Sequence, residues 1–410
     1  MKRNLLFFTV LLYLTGVTFF AHSTDMSYLT EEYNRPGATV FTRLEVLETV
    51  RDANLTGIGE FYHSSLRGLL SRLPGLRTRD ERVAAESAAI ILARGLAAER
   101  YIDAAPDLWS LAQSFDVIRD INDGLVMQEA LRAMGQIGAS GFVTHIALRL
   151  DAFNVAQTPD SATRVRVERA VVGAINALEA LRLPEGFRPV FFASIGWYDI
   201  FVRTTASVAL PNIMEDPEQI ISEIIRDPSS IPRVKYEALR EMLRTRAPNS
   251  SKAKAAAVAL ATGWTYTTNN LEQQRFLKDL RLSAINTIRV MGAADDSVYA
   301  NLGRSYSNNF GIVAPDYDEI RATLETLSAL RSENGANLLL GFLRDLNGRR
   351  RNGPWGARER QILQMLIPAL GASGIQSLEA RQLLTSIQGS SDYTSMEQSW
   401  ARDALRAISQ

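Results

Sequence analysis

Apolar residues recur along most of this chain at intervals of three and four positions, the spacing that lines one face of an α-helix. Val126, Ala130, Leu131, Met134 and Ile137 illustrate the pattern, because these side chains form a single helical stripe. The alternation of apolar and polar residues that is typical of strands is scarce. The pattern therefore predicts an all-α fold.

A small or apolar residue also returns about every 40 positions, at the same place in the helical pattern. The series is Ala88, Ala130, Ala170, Ala206, Ala238, Ala284, Leu324, Leu363 and Ala404. Alanine lets two helices approach closely and costs no helix propensity. A period of this length predicts helix pairs that bury their apolar faces on the next pair, which is an α-solenoid.

Turn signals divide residues 57–410 into about nine antiparallel helix pairs. The predicted pairs are 57–73 with 79–100, 106–118 with 123–138, 140–154 with 161–182, 187–195 with 198–213, 217–226 with 231–246, 251–262 with 271–291, 295–304 with 317–331, 333–346 with 357–370, and 374–388 with 393–408. Before them, residues 24–56 are predicted to form an extended lead-in, broken at Asn34, Pro36 and Gly37, and one short helix.

The N-terminal parts of several predicted second helices follow a common sequence pattern. In the fourth pair its residues are Asp199, Val202, Arg203 and Ala206, and related residues occur in the second and fifth pairs: Asp123, Val126, Ala130, and Asp227, Val234, Ala238. In these positions residues 57–408 resemble the HEAT-repeat family. The resemblance implies stacked antiparallel helix pairs that bind proteins or extended ligands on a concave face, and it implies no reaction.

The N-terminus has the three parts of a secretory signal peptide. Lys2 and Arg3 precede an apolar run over residues 5–20, and the small residues Ala21 and Ser23 follow it. The run is shorter than the ~20 apolar residues of a membrane-spanning helix. We therefore predict that residues 1–23 are removed, leaving an exported protein of the periplasm or cell envelope with no integral membrane span. The alternative is an uncleaved anchor, which would make the chain a membrane-tethered assembly factor.

Charge and cysteine content narrow the possible partners and chemistry. The chain has 45 basic and 45 acidic residues, and cleavage after Ser23 would remove Lys2 and Arg3 but no acid. A chain so close to neutral has no overall field that would attract nucleic acid. With no cysteine, thiol nucleophiles, thiolate metal ligands and disulfides are all excluded.

Sequence patterns for catalysis are largely missing. His63 and His145 would be the histidines of the mature chain, and neither belongs to a zinc-binding helix motif, so we predict that both pack between helices or lie on the surface. Acidic clusters occur at Asp295 and Asp296, at Asp316, Asp318 and Glu319, and at Glu215, Asp216 and Glu218. They could form an acid–base pair or bind calcium. Because they open predicted helices, we interpret them as helix caps and predict no metal or cofactor.

One candidate contact with a partner is the predicted turn over residues 347–356. Arg349, Arg350 and Arg351 lie there close to Trp355. Adjacent guanidinium groups beside an indole could bind phosphate, a carboxylate or an acidic patch of a protein. The alternative is a solvated loop between repeats.

A second candidate is the segment 299–317, which is long for a turn between repeats and contains Tyr299, Tyr306 and Phe310. Such aromatic side chains are frequent in protein interfaces. The alternative is a link whose rings pack against adjacent helices.

A further aromatic group at helical spacing is predicted to be core: Phe191, Phe192, Trp197, Tyr198 and Phe201.

These features together predict an exported, noncatalytic repeat scaffold that binds a protein partner, with no nucleic acid and no cofactor. The enzymatic alternative is a helical envelope hydrolase or lyase acting on glycan or peptide. That function would need two acids from different repeats to converge in a polar cleft.

Overall fold

The computed structural model describes residues 26–118, 123–157, 160–351, 356–374 and 376–409, without the side chains of residues 350 and 351. Within these ranges the chain is helical and contains no strand, which confirms the all-α prediction. The chain divides into two compact units, one ending at Ile213 and one beginning at Met214. The predicted signal segment and its cleavage site after Ser23 lie outside the described residues.

The first unit contains the helices α1 (Met26–Asn34), α2 (Val40–Asp52), α3 (Gly59–Arg72), α4 (Arg79–Ala98), α5 (Ala105–Ser114), α6 (Leu125–Gln136), α7 (Val143–Val155), α8 (Ser161–Leu181), α9 (Phe187–Ile195) and α10 (Ile200–Ile213). The second contains α11 (Glu218–Arg226), α12 (Pro232–Arg244), α13 (Asn249–Thr265), α14 (Leu271–Met291), α15 (Asp296–Gly311), α16 (Tyr317–Ala329), α17 (Glu333–Arg351), α18 (Ala357–Ala372), α19 (Leu378–Gly389) and α20 (Ser395–Ala407).

Neighbouring helices pack in pairs, and the pairs stack within each unit. The second helices form a row within each unit. In the first unit α2, which pairs with α1, packs on α4, α4 on α6, α6 on α8 and α8 on α10, and in the second unit α12, α14, α16, α18 and α20 follow one another. The predicted series of small residues lies in these two rows, and none of its members is more than 4% exposed. The α-solenoid arrangement and the buried place of the series are therefore confirmed.

The close approach of α6 to α8 depends on two glycines. A Cβ atom at Gly135 would lie 2.6 Å from the Cα of Ala177. A Cβ at Gly173 would lie 2.6 Å from the backbone oxygen of Gln128. Real Cβ atoms do not tolerate such contacts, so the spacing between the two backbones requires glycine at both positions.

The predicted extended lead-in is wrong, because α1 is helical. The helix is short and ends at Asn34, before Pro36, but Leu29 and Tyr33 lie one turn apart and are both buried. The Tyr33 hydroxyl donates a hydrogen bond to the Ser65 carbonyl over 3.1 Å. Packing on the following helices stabilises a segment whose local signals for helix are weak.

Two further predicted boundaries are wrong, both in the second unit. The long loop after residue 304 is absent, since α15 continues to Gly311. The first helix of the next pair, predicted to end at residue 346, continues as α17 to Arg351. The connection after α15 is closed by Asn309, whose Oδ1 accepts from the Asp316 amide over 2.7 Å and whose Nδ2 donates to the Asp316 carbonyl over 3.0 Å.

A buried lysine closes the end of α11. Lys235 has no exposed surface, and its Nζ donates to the carbonyls of Ile225 and Asp227 over 2.6 and 2.5 Å. Burial lowers the pKa of Lys235, since desolvation disfavours the charged form. The ammonium group satisfies the Ile225 carbonyl at the C-terminal end of α11, and it shares the Asp227 carbonyl with the Ser230 amide.

We expect Lys235→Met to lower the free energy of unfolding by about 2 kcal/mol, because both carbonyls lose a charged donor. Urea unfolding followed by circular dichroism measures the change. Lys252→Met is the matched control, since Lys252 is half-exposed at the start of α13 and should change stability little. Equal stability of Lys235→Met and wild type would show that the two carbonyls do not need the ammonium group.

Candidate partner-binding grooves

The predicted arginine turn is helical at its start, so the prediction of a turn there is wrong. Arg349 lies in the last turns of α17 and is exposed. Its guanidinium carbon lies 4.3 Å from the centre of the Phe310 ring, and that of Arg358 lies 4.8 Å from the same centre. Trp355 and the side chains of Arg350 and Arg351 lie outside the described residues. The structure thus brings Arg349 and Phe310, from the two predicted contact segments, together.

The aromatic residues of the second predicted segment are core residues. Tyr299, Tyr306 and Phe310 are 9%, 5% and 7% exposed. The Tyr306 ring stacks on Phe342 with 3.8 Å between ring centres, and burial raises the pKa of Tyr306. The Tyr299 hydroxyl donates to Ser332 Oγ over 2.6 Å. These rings pack against adjacent helices, which is the alternative that the sequence left open for this segment.

His63 packs between helices and His145 lies on the surface, the two placements that the sequence analysis gave for the histidines. His63 is 3% exposed, and its Nε2 lies 2.8 Å from a carboxylate oxygen of Asp107, which also accepts from Arg67. The His145 ring contacts the rings of Trp109 and Phe142, each with 5.6 Å between centres. In the part of the chain that the structure describes, no three His, Cys, Asp or Glu side chains are grouped so that they could hold a metal ion.

Acids from two of the clusters, Asp295 and Asp316, are helix N-caps, as interpreted, and an acid of the third accepts from the first amide of its helix. Asp295 Oδ1 accepts from the Val298 amide at the start of α15, and Asp216 Oδ1 accepts from the Glu218 amide before α11. Hydrogen bonds from the Ser297 hydroxyl and the Val298 amide lower the pKa of Asp295. Asp316 Oδ1 accepts from the Glu319 amide at the start of α16.

Glu319 itself has a different role from the caps. Its carboxylate is fully buried and accepts from Arg281 Nε over 3.0 and 3.1 Å. Ser305 Oγ donates to it over 3.3 Å, and Trp264 Nε1 donates to Ser305 Oγ over 3.0 Å. Burial raises the pKa of Glu319, although Arg281 acts in the opposite direction. This cluster joins α13, α14, α15 and α16, and the sequence analysis missed it by grouping Glu319 with the caps.

A solvent-open groove of about 590 Å³ lies between the second helices α16 and α18. Its walls are Arg321, Leu324, Glu325, Ser328, Ala329, Arg331, Gln361, Gln364, Met365, Pro368, Ala369 and Ala372. The apolar side chains form the floor, where Leu324 and Ala369 are almost fully buried. Charged and amide side chains form the rim, where Arg321 and Arg331 are exposed. We call this the α16–α18 groove.

The first unit has a groove at the equivalent place in its own row, between α2 and α4, which we call the α2–α4 groove. It encloses about 400 Å³ and is lined by Glu48, Arg51, Asn54, Leu55, Tyr62, Ser87, Ile90, Ile91, Arg94, Gly95, Ala98 and Glu99. Here too apolar side chains lie between charged ones. The carboxylate of Glu99 is already hydrogen-bonded, since both its oxygens accept from the Gly57 amide.

Several second helices end with a residue in the left-handed region, just past the last turn. Glycine is there after α6, α14 and α18, whereas α2 has asparagine and α4, α8 and α16 have arginine: Gly138, Gly292, Gly374, Asn54, Arg100, Arg182 and Arg331. Glycine adopts positive φ without cost, and arginine does not. A cation near a helix C-terminus is stabilised by the helix dipole, which offsets part of that cost.

One aromatic residue predicted to be core lies on the surface instead. Phe191 and Tyr198 are buried, but Phe201 is 65% exposed in α10. Val202 and Ala206 face the core, so Phe201 and Val208 lie on the opposite face, where Val208 is also exposed. The sequence could have shown this, since Phe201 directly precedes a core position.

No protein-family model matches this chain, and no curated protein matches it. Among the described helices, none is both long enough and apolar enough to span a membrane.

Proposed function

We propose that this protein is an exported, noncatalytic, HEAT-like repeat scaffold that binds a protein partner in the cell envelope. The observation that carries the proposal is the pair of grooves between second helices, one in each unit, each with apolar side chains between charged ones. Protein interfaces have this anatomy, with an apolar centre and a polar rim. A groove formed by packed helices is also ordered before binding, which limits the entropic cost of association.

The pairing of acidic side chains supports a binding role over a catalytic one. Glu129 accepts from Arg94 over 2.9 Å and lies 2.6 Å from a guanidinium nitrogen of Arg132. Glu325, in the wall of the α16–α18 groove, lies 2.9 Å from Arg289 Nη1. General acid–base chemistry needs carboxyl groups that can exchange protons with a substrate, whereas these carboxylates are engaged by guanidinium groups.

Site-specific photo-crosslinking in native cells tests the binding role. A photoreactive residue at Gln364 lies in the α16–α18 groove, and one at Ser87 lies in the α2–α4 groove. Thr385 is the control, since it is exposed on α19, a first helix, and lines neither groove. We expect a discrete protein adduct from a groove position and none from Thr385. Adducts of equal yield at all three positions, or none at either groove position, would contradict the proposal.

The export part of the proposal is tested separately, by the intact mass of the protein recovered from its native cells. We expect an N-terminus at Thr24, which follows the small-residue exit of the apolar run. Recovery of a chain that starts at Met1 would instead favour a membrane-tethered assembly factor.

A further inference from the structure

We propose that the α16–α18 groove binds an acidic segment of the protein partner, with carboxylates on Arg321 and Arg331 and an apolar side chain on the floor between them. This inference rests on the proposed scaffold function and adds the chemistry of the segment that is recognised.

The charges of the groove favour an anionic occupant. Among the residues that the structure describes, neither Arg321 nor Arg331 forms an ion pair or a side-chain hydrogen bond, and both are exposed. The acid in the wall, Glu325, is already neutralised by Arg289. The rim therefore presents two guanidinium groups with free donors, the geometry that binds carboxylates in pairs of hydrogen bonds.

The floor favours a peptide over a polyanion that carries charge alone. Leu324, Met365, Pro368 and Ala369 give the groove an apolar base on which an aliphatic or aromatic side chain can be buried. Burial of such a side chain contributes roughly 1.5–3 kcal/mol. A phosphodiester backbone would leave this surface without a matching group, so nucleic acid fits the groove less well.

Polar groups beside the floor can pair with a peptide backbone. Pro368 lies inside α18 and has no amide hydrogen, so it cannot donate to the Gln364 carbonyl one turn earlier. The side-chain amides of Gln361 and Gln364 line the same wall. They supply both donors and acceptors, which an extended segment requires along its edge.

The spacing of the arginines sets the spacing of the acids. Arg321 and Arg331 are separated by ten positions along α16 and its end, which corresponds to about 15 Å at 1.5 Å per helical residue. An extended peptide advances about 3.3 Å per residue. Two acids about four or five residues apart, with an apolar residue between them, would therefore reach both guanidinium groups.

The position of Arg331 supports a role in binding. It holds a left-handed backbone with φ of 43°, as Arg100 and Arg182 do after α4 and α8, whereas glycine occupies the corresponding place after α6, α14 and α18. At this helix end the chain has arginine, although glycine would adopt the left-handed backbone without strain. The arginine side chain lines the groove.

Fluorescence anisotropy on residues 24–410 tests the inference with three labelled peptides of about ten residues. One alternates Glu and Leu, one has Lys in place of Glu, and one has Ser in place of Leu. We expect the Glu–Leu peptide to bind, the other two to bind at least about tenfold more weakly, and the binding of the first to weaken as salt rises. No binding of the Glu–Leu peptide at millimolar concentration, or equal binding of the Lys–Leu peptide, would overturn the inference.

Charge reversal locates the site. We expect R321E/R331E to weaken binding of the Glu–Leu peptide at least about tenfold, since attraction becomes repulsion. R233E/R275E is the matched control, because both residues are exposed in the same unit, lie outside the groove and undergo the same change in charge. If R321E/R331E does not fold, R321A/R331G replaces it, since glycine accepts the left-handed backbone. Equal weakening by the control pair would overturn the assignment to this groove, as would tighter binding of a single-stranded oligonucleotide that displaces the peptide.

The two proposals fail differently. If photo-crosslinking from Gln364 captures a partner and R321E/R331E leaves the adduct unchanged, the scaffold function stands and the acidic-segment inference is wrong. If neither groove yields an adduct, the scaffold function is wrong whatever the peptides do.

Discussion

Arg281→Met is expected to lower the free energy of unfolding of the second unit by about 3–5 kcal/mol, the usual cost of breaking a buried ion pair by removing one partner. The loss arises because Glu319 remains fully buried while both of its hydrogen bonds from Arg281 Nε disappear. Contact of the guanidinium with the Trp264 ring, 4.3 Å from its centre, is lost as well. Urea unfolding at pH 7, followed by circular dichroism, measures the effect.

The same variant should recover part of its stability as the pH falls from 7 to 5. Burial raises the pKa of Glu319 above the value of about 4.3 for an unfolded chain, and removal of Arg281 raises it further. The folded protein then binds the proton before the unfolded chain does, so stability rises as pH falls through the folded-state pKa.

Two controls separate the buried charge from general damage. Arg289→Met breaks an exposed pair with Glu325 and should cost less than about 1 kcal/mol. Combining Arg281→Met with Glu319→Gln removes the unpaired charge and should restore much of the stability at pH 7. A loss in Arg281→Met that is independent of pH and unchanged by Glu319→Gln would show that the ion pair is not its cause.

Gly173→Ala is expected to destabilise the first unit by about 3 kcal/mol, the upper part of the range for overpacking. The added Cβ would lie 2.6 Å from the Gln128 backbone oxygen, so α6 and α8 would have to separate. This outweighs the gain of about 1 kcal/mol that alanine brings in an unconstrained helix. Thermal and urea unfolding, monitored by circular dichroism, report the change.

Gly341→Ala is the matched control and has the opposite expected sign. Gly341 lies inside α17 with no atom within 4 Å of an added Cβ, so the substitution should stabilise by up to about 1 kcal/mol. If Gly173→Ala were as stable as wild type, the contact between α6 and α8 would not require glycine.

The repeat pattern of the fold could be predicted from sequence because its causes are local. The three-and-four spacing sets which face of each helix is buried, and the series that includes Ala130 and Ala170 marks the helices that pack in the common row. Caps such as Asp295 were also predictable, since an acid before an apolar run satisfies free amides.

The predictions failed where distant residues decide the structure. Ser, Asn and Gly residues after residue 304 favour a loop, but Tyr306 stacks on Phe342, a residue of the next pair, and the helix continues to Gly311. Nothing in the sequence indicates that these two rings stack on each other. Tertiary packing overrides local propensity in such segments.

The residues of the candidate site were missed for a related reason. The groove is formed by two helices of different pairs, and nothing in the sequence indicates that Arg321 and Gln364 lie on the same groove. Arg331 could have been found, since it follows its helix at the place where Gly138 and Gly374 follow theirs. Comparison of equivalent positions between repeats would have shown Arg100, Arg182 and Arg331 where other repeats have glycine.

The left-handed residue after the second helices has a consequence for how such a chain can diverge. At Gly138 and Gly374 an added Cβ atom would have no atom within 4 Å, and at Arg100, Arg182 and Arg331 the arginine is exposed. An exchange between glycine and arginine at these places alters surface charge without touching the stacked interior. Successive repeats can therefore acquire new electrostatic preferences one at a time, at the expense of only a modest backbone penalty.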